Sequence, residues 1–412
     1  MIFKKTILAL SVMVATSAAQ AAAPSNEEMW EMLQNMQQQM AEIKQQNNQL
    51  KVENDSLKDQ VEDTNQAIEA VVESAEQTAV ASVSKTTIGG YGELHYNNLE
   101  DQHGTAHKES IDFHRFVLFF GHEFNDSLRF FSELELEHSI AGDGKAGEIE
   151  LEQAYIEYDI NQQHRVKGGI FLTPVGIINE THEPNTFYGT ERNPVEKNIV
   201  PATWWAAGAM FSGEIAEGFA YDVAVTSGLD VSKKGTKTSY KIRDGRQKVS
   251  KALADDFAYT GRIKWTGIPG VELAATVQYQ GDMTQNQDAT AGSATLFETH
   301  AVIKRGAFGL RALYATWDLN GSGPKSSGYD EQTGWYIEPS YQINSNFGIF
   351  ARYNEWDNQA GDATDSEYDQ IDLGINWWPH EDVVVKFDYQ DQDAPKGKTE
   401  LDGFNLGLGY QF

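Results

Sequence analysis

The chain contains no cysteine. Disulfides and thiolate metal ligands are excluded, so the fold must hold by packing and hydrogen bonding. Bases are few: 32 Lys and Arg stand against 61 Asp and Glu, leaving a formal charge of -29. So acidic a chain lacks the basic face that nucleic acid requires as a partner. Long apolar runs are missing as well. Beyond the first residues no stretch reaches the ~18 apolar residues that a membrane-spanning helix needs. Mean hydropathy is -0.50, which suits a water-soluble chain but equally suits a membrane barrel, whose strands turn only alternate residues to lipid. Catalytic signatures are absent: there is no H-E-x-x-H and no G-x-S-x-G. His103 and His107 lie four apart but share their segment with Gly104, which argues against a helical pair. No enzyme activity, cofactor or metal site is therefore expected.

What is present begins with an address. Lys4 and Lys5 precede a short apolar run, Thr6 to Thr16, and Ala19-Gln20-Ala21 offers a small-residue cleavage site. This is the pattern of a secretory signal peptide over residues 1–21.

Residues 24–85 carry a heptad. With d at Met29, the seam reads Met29, Leu33, Met36, Met40, Ile43, Asn47, Leu50, Asn54, Leu57, Val61, Thr64, Ile68, Val71 and Ala75. Alternating spacings of four and three predict a long α-helical coiled coil. Proline and glycine are absent from Ser25 to Lys85, so nothing breaks it. Asn47 and Asn54, both at a, would fix register at a cost in stability. The helix would reach roughly 75 Å. Its last heptads weaken and form a linker to Thr86.

From Thr86 to Phe412 the period switches to two. The final strand shows it best: Leu406, Leu408, Tyr410 and Phe412 alternate with Asn405, Gly407, Gly409 and Gln411. One set would meet lipid and the other water. About sixteen such segments, an even number, predict an all-β, antiparallel transmembrane β-barrel over residues 86–412. Connections alternate in length. Tight turns such as Asn125-Asp126, Gly306 and Pro379–Glu381 take turns with long loops, including 98–109, 173–204 and 227–254. Short turns face the periplasm and long loops the exterior. Both barrel ends then fall on the periplasmic side, with the coiled coil in the periplasm. The location implied is the outer membrane, with its lipid and lipopolysaccharide as surroundings.

A sixteen-stranded barrel is wide enough for an aqueous channel, so function rests on what narrows it. The third long loop is too long for a plain connection and is expected to fold inward. Glu180, Glu183, Glu191 and Glu196 face His182, Arg192 and Lys197 within it. Mixed charge across an aperture makes a transverse field that filters solutes; the plainer alternative is that Arg192 pairs with a carboxylate and pins the loop. Strand alternation places Arg129, Lys167, Arg262, Lys264, Arg352 and Lys386 toward the lumen, beside Glu133, Glu135, Glu137, Glu272, Glu338 and Asp388. The fourth long loop gathers Lys233, Lys234, Lys237, Lys241, Arg243, Arg246, Lys248 and Lys251. Three roles stay open for it: concentrating phosphate-like solutes at the mouth, binding lipopolysaccharide phosphates or a neighbouring subunit, or serving as an exposed segment.

Gly168-Gly169-Ile170-Phe171-Leu172-Thr173-Pro174, then Glu191-Arg192 and Gly208-Ala209-Met210, resemble the phosphate-selective porin O and P family. So do Ile88-Gly89-Gly90-Tyr91-Gly92 and Asp112-Phe113-His114-Arg115. The resemblance runs from Thr86 to Phe412 and implies a homotrimer of sixteen-stranded channels, each with its third loop inside. Members of that family select phosphate through a series of basic residues. Here the same lumen faces carry many acids, a departure from that pattern.

The expected function is a passive porin for small hydrophilic solutes, anions such as phosphate foremost. A carbohydrate-selective porin is the alternative, with Phe187, Tyr188, Trp204 and Trp205 as an aromatic slide. A structural tether is the third, with the coiled coil gripping peptidoglycan or a periplasmic protein.

Overall fold

The computed structural model describes most of residues 26–62, and residues 85–412 apart from 105–106 and 232–238. The signal peptide, the linker after residue 62, and Lys233, Lys234 and Lys237 lie outside the described residues. So do Met29, Met36, Ile43 and Leu57 of the heptad seam. The chain divides into two units, Met1–Val83 and Ser84–Phe412.

In the first unit every described residue between 26 and 62 is helical. Leu33, Met40, Leu50 and Val61 keep the heptad spacing and are all exposed on the single chain. The coiled coil itself, which needs a second helix, is not established by this one helix. Among the described residues no helix is long and apolar enough to cross a membrane.

The second unit is a closed barrel of sixteen antiparallel strands in chain order. They are β1 Thr86–Asp101, β2 His107–Asn125, β3 Leu128–Glu137, β4 Ile149–Asp159, β5 His164–Leu172, β6 Trp205–Ala216, β7 Phe219–Thr226 and β8 Ala258–Trp265. The round continues with β9 Val271–Gln280, β10 Ala294–Arg305, β11 Phe308–Leu319, β12 Glu331–Gln342, β13 Phe347–Asp357, β14 Tyr368–His380, β15 Val383–Asp393 and β16 Leu401–Gln411. β1 pairs with β16 from Tyr91–Gln411 to Asp101–Leu401, which seals the sheet. Closure leaves no unpaired edge, the condition for strands in lipid. Along β9 the alternation is plain: Leu273, Val277 and Tyr279 are exposed outside, while Ala274, Thr276, Gln278 and Gln280 are buried inside.

The seam explains one glycine motif. Gly90 and Gly92 sit on the outer face of β1; a Cβ on Gly92 would strike the Tyr410 ring lying over it, and one on Gly90 would strike the Val117 carbonyl of β2 and press on the Phe412 ring. Aromatic residues of β16 thus cover the bare backbone of β1.

Two bulges matter for the lumen. Glu93 pairs with Arg115 but Leu94 with Phe113, so His114 is an extra residue in β2. Likewise Glu133 pairs with Gln153 and Leu134 with Leu151, leaving Glu152 extra in β4. A bulge re-aims side chains, and here it adds an imidazole and a carboxylate to the charged inner face.

Tight turns and long loops alternate as expected. Some boundaries differ: β14 runs to His380, and β1 runs to Asp101 with β2 starting at His107, where the sequence suggests a loop from residue 98. Pairs such as Asn97–Ser110 and Leu99–Lys108 extend the ladder beyond the apolar alternation.

Candidate functional site

The third long loop, 173–204, folds into the barrel, and the wall is cut to receive it. A Cβ at Gly409 would meet Pro184, and one at Gly407 would meet Thr190. The small inward residues of β16 therefore make room for the loop. Polar contacts then fix it. Thr190 N–H donates to Asp388 (2.7 Å), Lys386 donates to the Gly189 carbonyl (2.9 Å), and Asn376 donates to the Phe187 carbonyl (3.3 Å). Asn185 donates to the carbonyl of Glu381, in the tight turn between β14 and β15 (2.8 Å). The loop thus reaches the tight-turn end of the barrel.

Glu196 is its hub. The buried carboxylate accepts N–H bonds from Ile177 (2.8 Å) and Ile178 (2.7 Å) and the Tyr336 hydroxyl (2.8 Å). Gly176 holds φ +75° directly beside it, and a side chain there would collide with the Glu196 carboxylate. Around this hub Val195, Ile199 and Val200 pack against Leu313, Trp317, Tyr336 and Trp356 of β11 to β13, together with Leu229 and Ile242 of the fourth loop. Trp317 also donates to the Ile199 carbonyl (3.0 Å). One side of the lumen is therefore filled by an apolar core.

The opposite side stays polar. A cavity of about 170 Å³ lies between Glu93, His95, His114, Arg115, Glu137, Glu150 and Glu152 of β1 to β4 and the loop residues Glu191, Arg192, Lys197, Arg243, Arg246 and Lys248. The third and fourth loops, separate in the sequence, supply its basic side together.

Of the acids lining this aperture, Glu93, Glu150 and Glu191 have cationic partners, whereas among the described residues Glu137 has no ion pair and Glu152 only His182 at 3.7 Å. Glu93 meets His95 (2.9 Å) and Arg115 (3.5 Å), and Glu135 lies 3.6 Å from Arg115. Glu148 and Glu150 both hold Lys248, the former at 3.0 Å. Glu191 meets His95 at 3.4 Å and Lys108 at 3.9 Å. Burial would raise the Glu191 carboxyl, but the His95 hydrogen bond and charge outweigh it and hold it well below the usual range.

The bases are not matched in the same way. Arg192 donates to the Thr203 hydroxyl (2.6 Å) and the His182 carbonyl (3.4 Å). Arg243 donates to the carbonyls of Lys197 (2.8 Å) and Ala202 (2.9 Å). Arg246 donates to those of Pro201 (3.1 Å) and Thr203. Among the described residues no carboxylate lies within 4.0 Å of Arg192, Lys197, Arg243 or Arg246. Burial, with repulsion from Arg246 and Arg192, pulls the Arg243 guanidinium below its usual range. Three guanidiniums are thus oriented by neutral carbonyls and a hydroxyl rather than by carboxylates.

The other residues singled out in the sequence fall elsewhere. Arg352 is committed to Asp372 (3.0 Å) and Glu338 (3.1 Å), and Arg262 to Glu180 and Asp222. Arg129 binds Glu157 and Asp159 near the tight-turn end. Lys167 lies over the Tyr155 ring, 4.9 Å from its centre, and Lys264 is 3.7 Å from Glu272. His182 is buried against Glu133, and Glu183 opens the turn Pro184–Thr186. Lys241 and Lys251 stay exposed. Phe187 lies under Lys386, Trp204 packs on Trp317, Trp205 lies under Lys248, and Tyr188 packs on Phe350, so these rings form no open slide. Glu93 and His95 carry no motif of their own, although the alternation Glu93, His95, Asn97 marks an inward polar face on β1.

Comparison with known proteins places the chain. Residues 88–412 match the family model described as phosphate-selective porin O and P. A protein of Aquifex aeolicus described as uncharacterized is 30% identical over 79% of this chain and 80% of its own length. Among solved structures, the outer membrane channel DcaP of Acinetobacter baumannii superposes with a TM-score of 0.56 at 14% identity, covering 79% of this chain and 97% of that one. An anion-selective porin from Comamonas acidovorans gives 0.56 at 12% identity, covering 79% and 99%. OmpT of Vibrio cholerae in a trimer form gives 0.52 at 12% identity over the same shares. These distant likenesses show the porin fold.

Proposed function

The chain belongs to the phosphate-selective porin O and P family, and on that premise we propose that this outer-membrane channel selects small anions, phosphate among them. One observation carries the proposal: at the aperture the carboxylates of Glu93, Glu150 and Glu191 have cationic partners, whereas Arg192, Arg243 and Arg246 have no carboxylate partner. Net charge would point to cations. The field a solute meets depends instead on which charges remain after pairing. A guanidinium fork also matches phosphate oxygens in pairs. Passage is by diffusion, with no energy source. Planar-bilayer currents test this: added phosphate should reduce chloride current through the wild type, and an Arg192→Gln, Arg243→Gln, Arg246→Gln triple variant should lose that block. Undiminished block in the triple variant would contradict it.

The N-terminal helix supports a second element of the proposal. Its exposed heptad residues Leu33, Met40, Leu50 and Val61 suit burial against equivalent helices, and a homotrimer would supply them. Attachment of that helix to peptidoglycan or a periplasmic protein is the tethering variant of the same idea. Native mass in detergent separates three copies from one, and removal of residues 26–84 separates assembly from conduction. The exposed Lys241 and Lys251 are suited to lipopolysaccharide phosphates.

A further inference from the structure

We propose that Glu133, Glu152 and His182 form a divalent-metal site that pins the inward loop to the barrel wall. The three residues come from three places: β3, the bulge of β4 and the third loop. One ligand atom from each lies within 4.8 Å of the others, and all three side chains are buried. Nε2 of His182 stands 3.2 Å from a Glu133 oxygen and 3.7 Å from Glu152 Oε2. An ion about 2.0–2.2 Å from each ligand holds its ligands roughly 3–3.7 Å apart, which matches these spacings.

The tautomer supplies a second argument. Nδ1 of His182 lies 3.2 Å from the Asn179 carbonyl, an acceptor only, so Nδ1 carries its proton. Nε2 then faces two carboxylates. With a bare lone pair there, three electron-rich atoms would converge with nothing positive between them; a cation on Nε2 resolves this. Donation of the other ring nitrogen to a backbone carbonyl is the usual outer support of a metal-bound histidine. Gln153 donates to the second Glu133 oxygen (2.7 Å), orienting that carboxylate in the same manner.

The third observation is Glu152 Oε2. The residue is only 2% exposed, and this oxygen, aimed at His182, accepts no hydrogen bond. A buried acceptor without a donor is costly. Neither nearby arginine fills the place: Arg115 takes Glu93 and Glu135, and Arg192 donates to Thr203 and the His182 carbonyl. Two carboxylates and one imidazole suit a first-row divalent ion such as Zn²⁺, Mn²⁺ or Co²⁺. A proton on Nε2, making an imidazolium, is the competing occupant.

The test is Co²⁺ titration of full-length protein in detergent after chelator stripping. A visible absorption band saturating at one equivalent per chain, and displaced by Zn²⁺, is expected. Glu152→Gln, which preserves shape, should weaken binding at least tenfold, and His182→Ala should abolish the band. His138→Ala should leave it intact, since His138 belongs to a separate cluster with Asp112 and His114. Heat-modifiable gel mobility confirms the barrel in each variant, and Glu152→Gln decides alone if His182→Ala does not fold. No saturable band in the wild type would assign the position to a proton and overturn the site. Binding unchanged in Glu152→Gln, or lost in His138→Ala, would overturn it equally.

Discussion

The two sides of the lumen have opposite characters. Against β11 to β13 the inward loop lays Val195, Ile199 and Val200 on Leu313, Trp317, Tyr336 and Trp356. Against β1 to β4 the same loop presents Arg192 and Lys197 across a cavity to Glu93, Glu150 and Glu152. On the proposed reading, one loop acts as a core on one face and a filter on the other. Stability and selectivity would then depend on different residues only a few positions apart, because one set faces an apolar wall and the other a charged cavity.

This contrast can be broken at the hub. Glu196→Ala leaves the Ile177 and Ile178 N–H groups and the Tyr336 hydroxyl without their acceptor, at about 1–3 kcal/mol each. The loop should leave the lumen, and single-channel conductance should rise severalfold with selectivity lost. Next in size, the Arg192, Arg243, Arg246 triple Gln variant should lower the anion-to-cation permeability ratio on the order of tenfold, with conductance little changed. Ile199→Ala removes packing on the apolar side at about 2–4 kcal/mol; current noise should grow while the permeability ratio holds. Lys248→Gln frees Glu148 and Glu150, and the ratio should fall by about twofold or less.

The smallest effect is the most specific. Glu191 is held below its ordinary range by His95. A depressed carboxylate stabilises the folded state fully above its unfolded pKa, about 4.3, and loses that contribution as pH falls through the folded value. The stability difference between wild type and Glu191→Gln should therefore hold between that pH and about 6.5, the ordinary histidine value, and shrink as pH falls below this window, as measured by thermal unfolding in detergent.

Much of the frame was legible in the chain because a barrel wall repeats one simple constraint. Leu273, Val277 and Tyr279 alternate with Thr276 and Gln278, and nothing but a sheet with two unlike faces needs that order. The third loop was legible by its length. Its companion was not: Arg243 and Arg246 read as part of an exposed basic mouth, and only the fold brings them beside Arg192. Pairing was equally hidden. Arg262 and Arg352 read as lumen-facing among acids without assigned partners, and Glu180, Asp222, Glu338 and Asp372 neutralise them from neighbouring strands or the loop rather than from nearby in sequence. The bulges that add His114 and Glu152 have no composition signal, because one extra residue in a strand shifts register without changing its character. Gly407 and Gly409 read as wall residues meeting water; their smallness answers to Thr190 and Pro184.

The reversal potential of the wild-type channel under a potassium chloride gradient tests the central claim most directly. Unmatched arginines at the aperture require the sign of a chloride-preferring pore, despite a chain charge of -29. A potential of the opposite sign, showing preference for potassium, would contradict it.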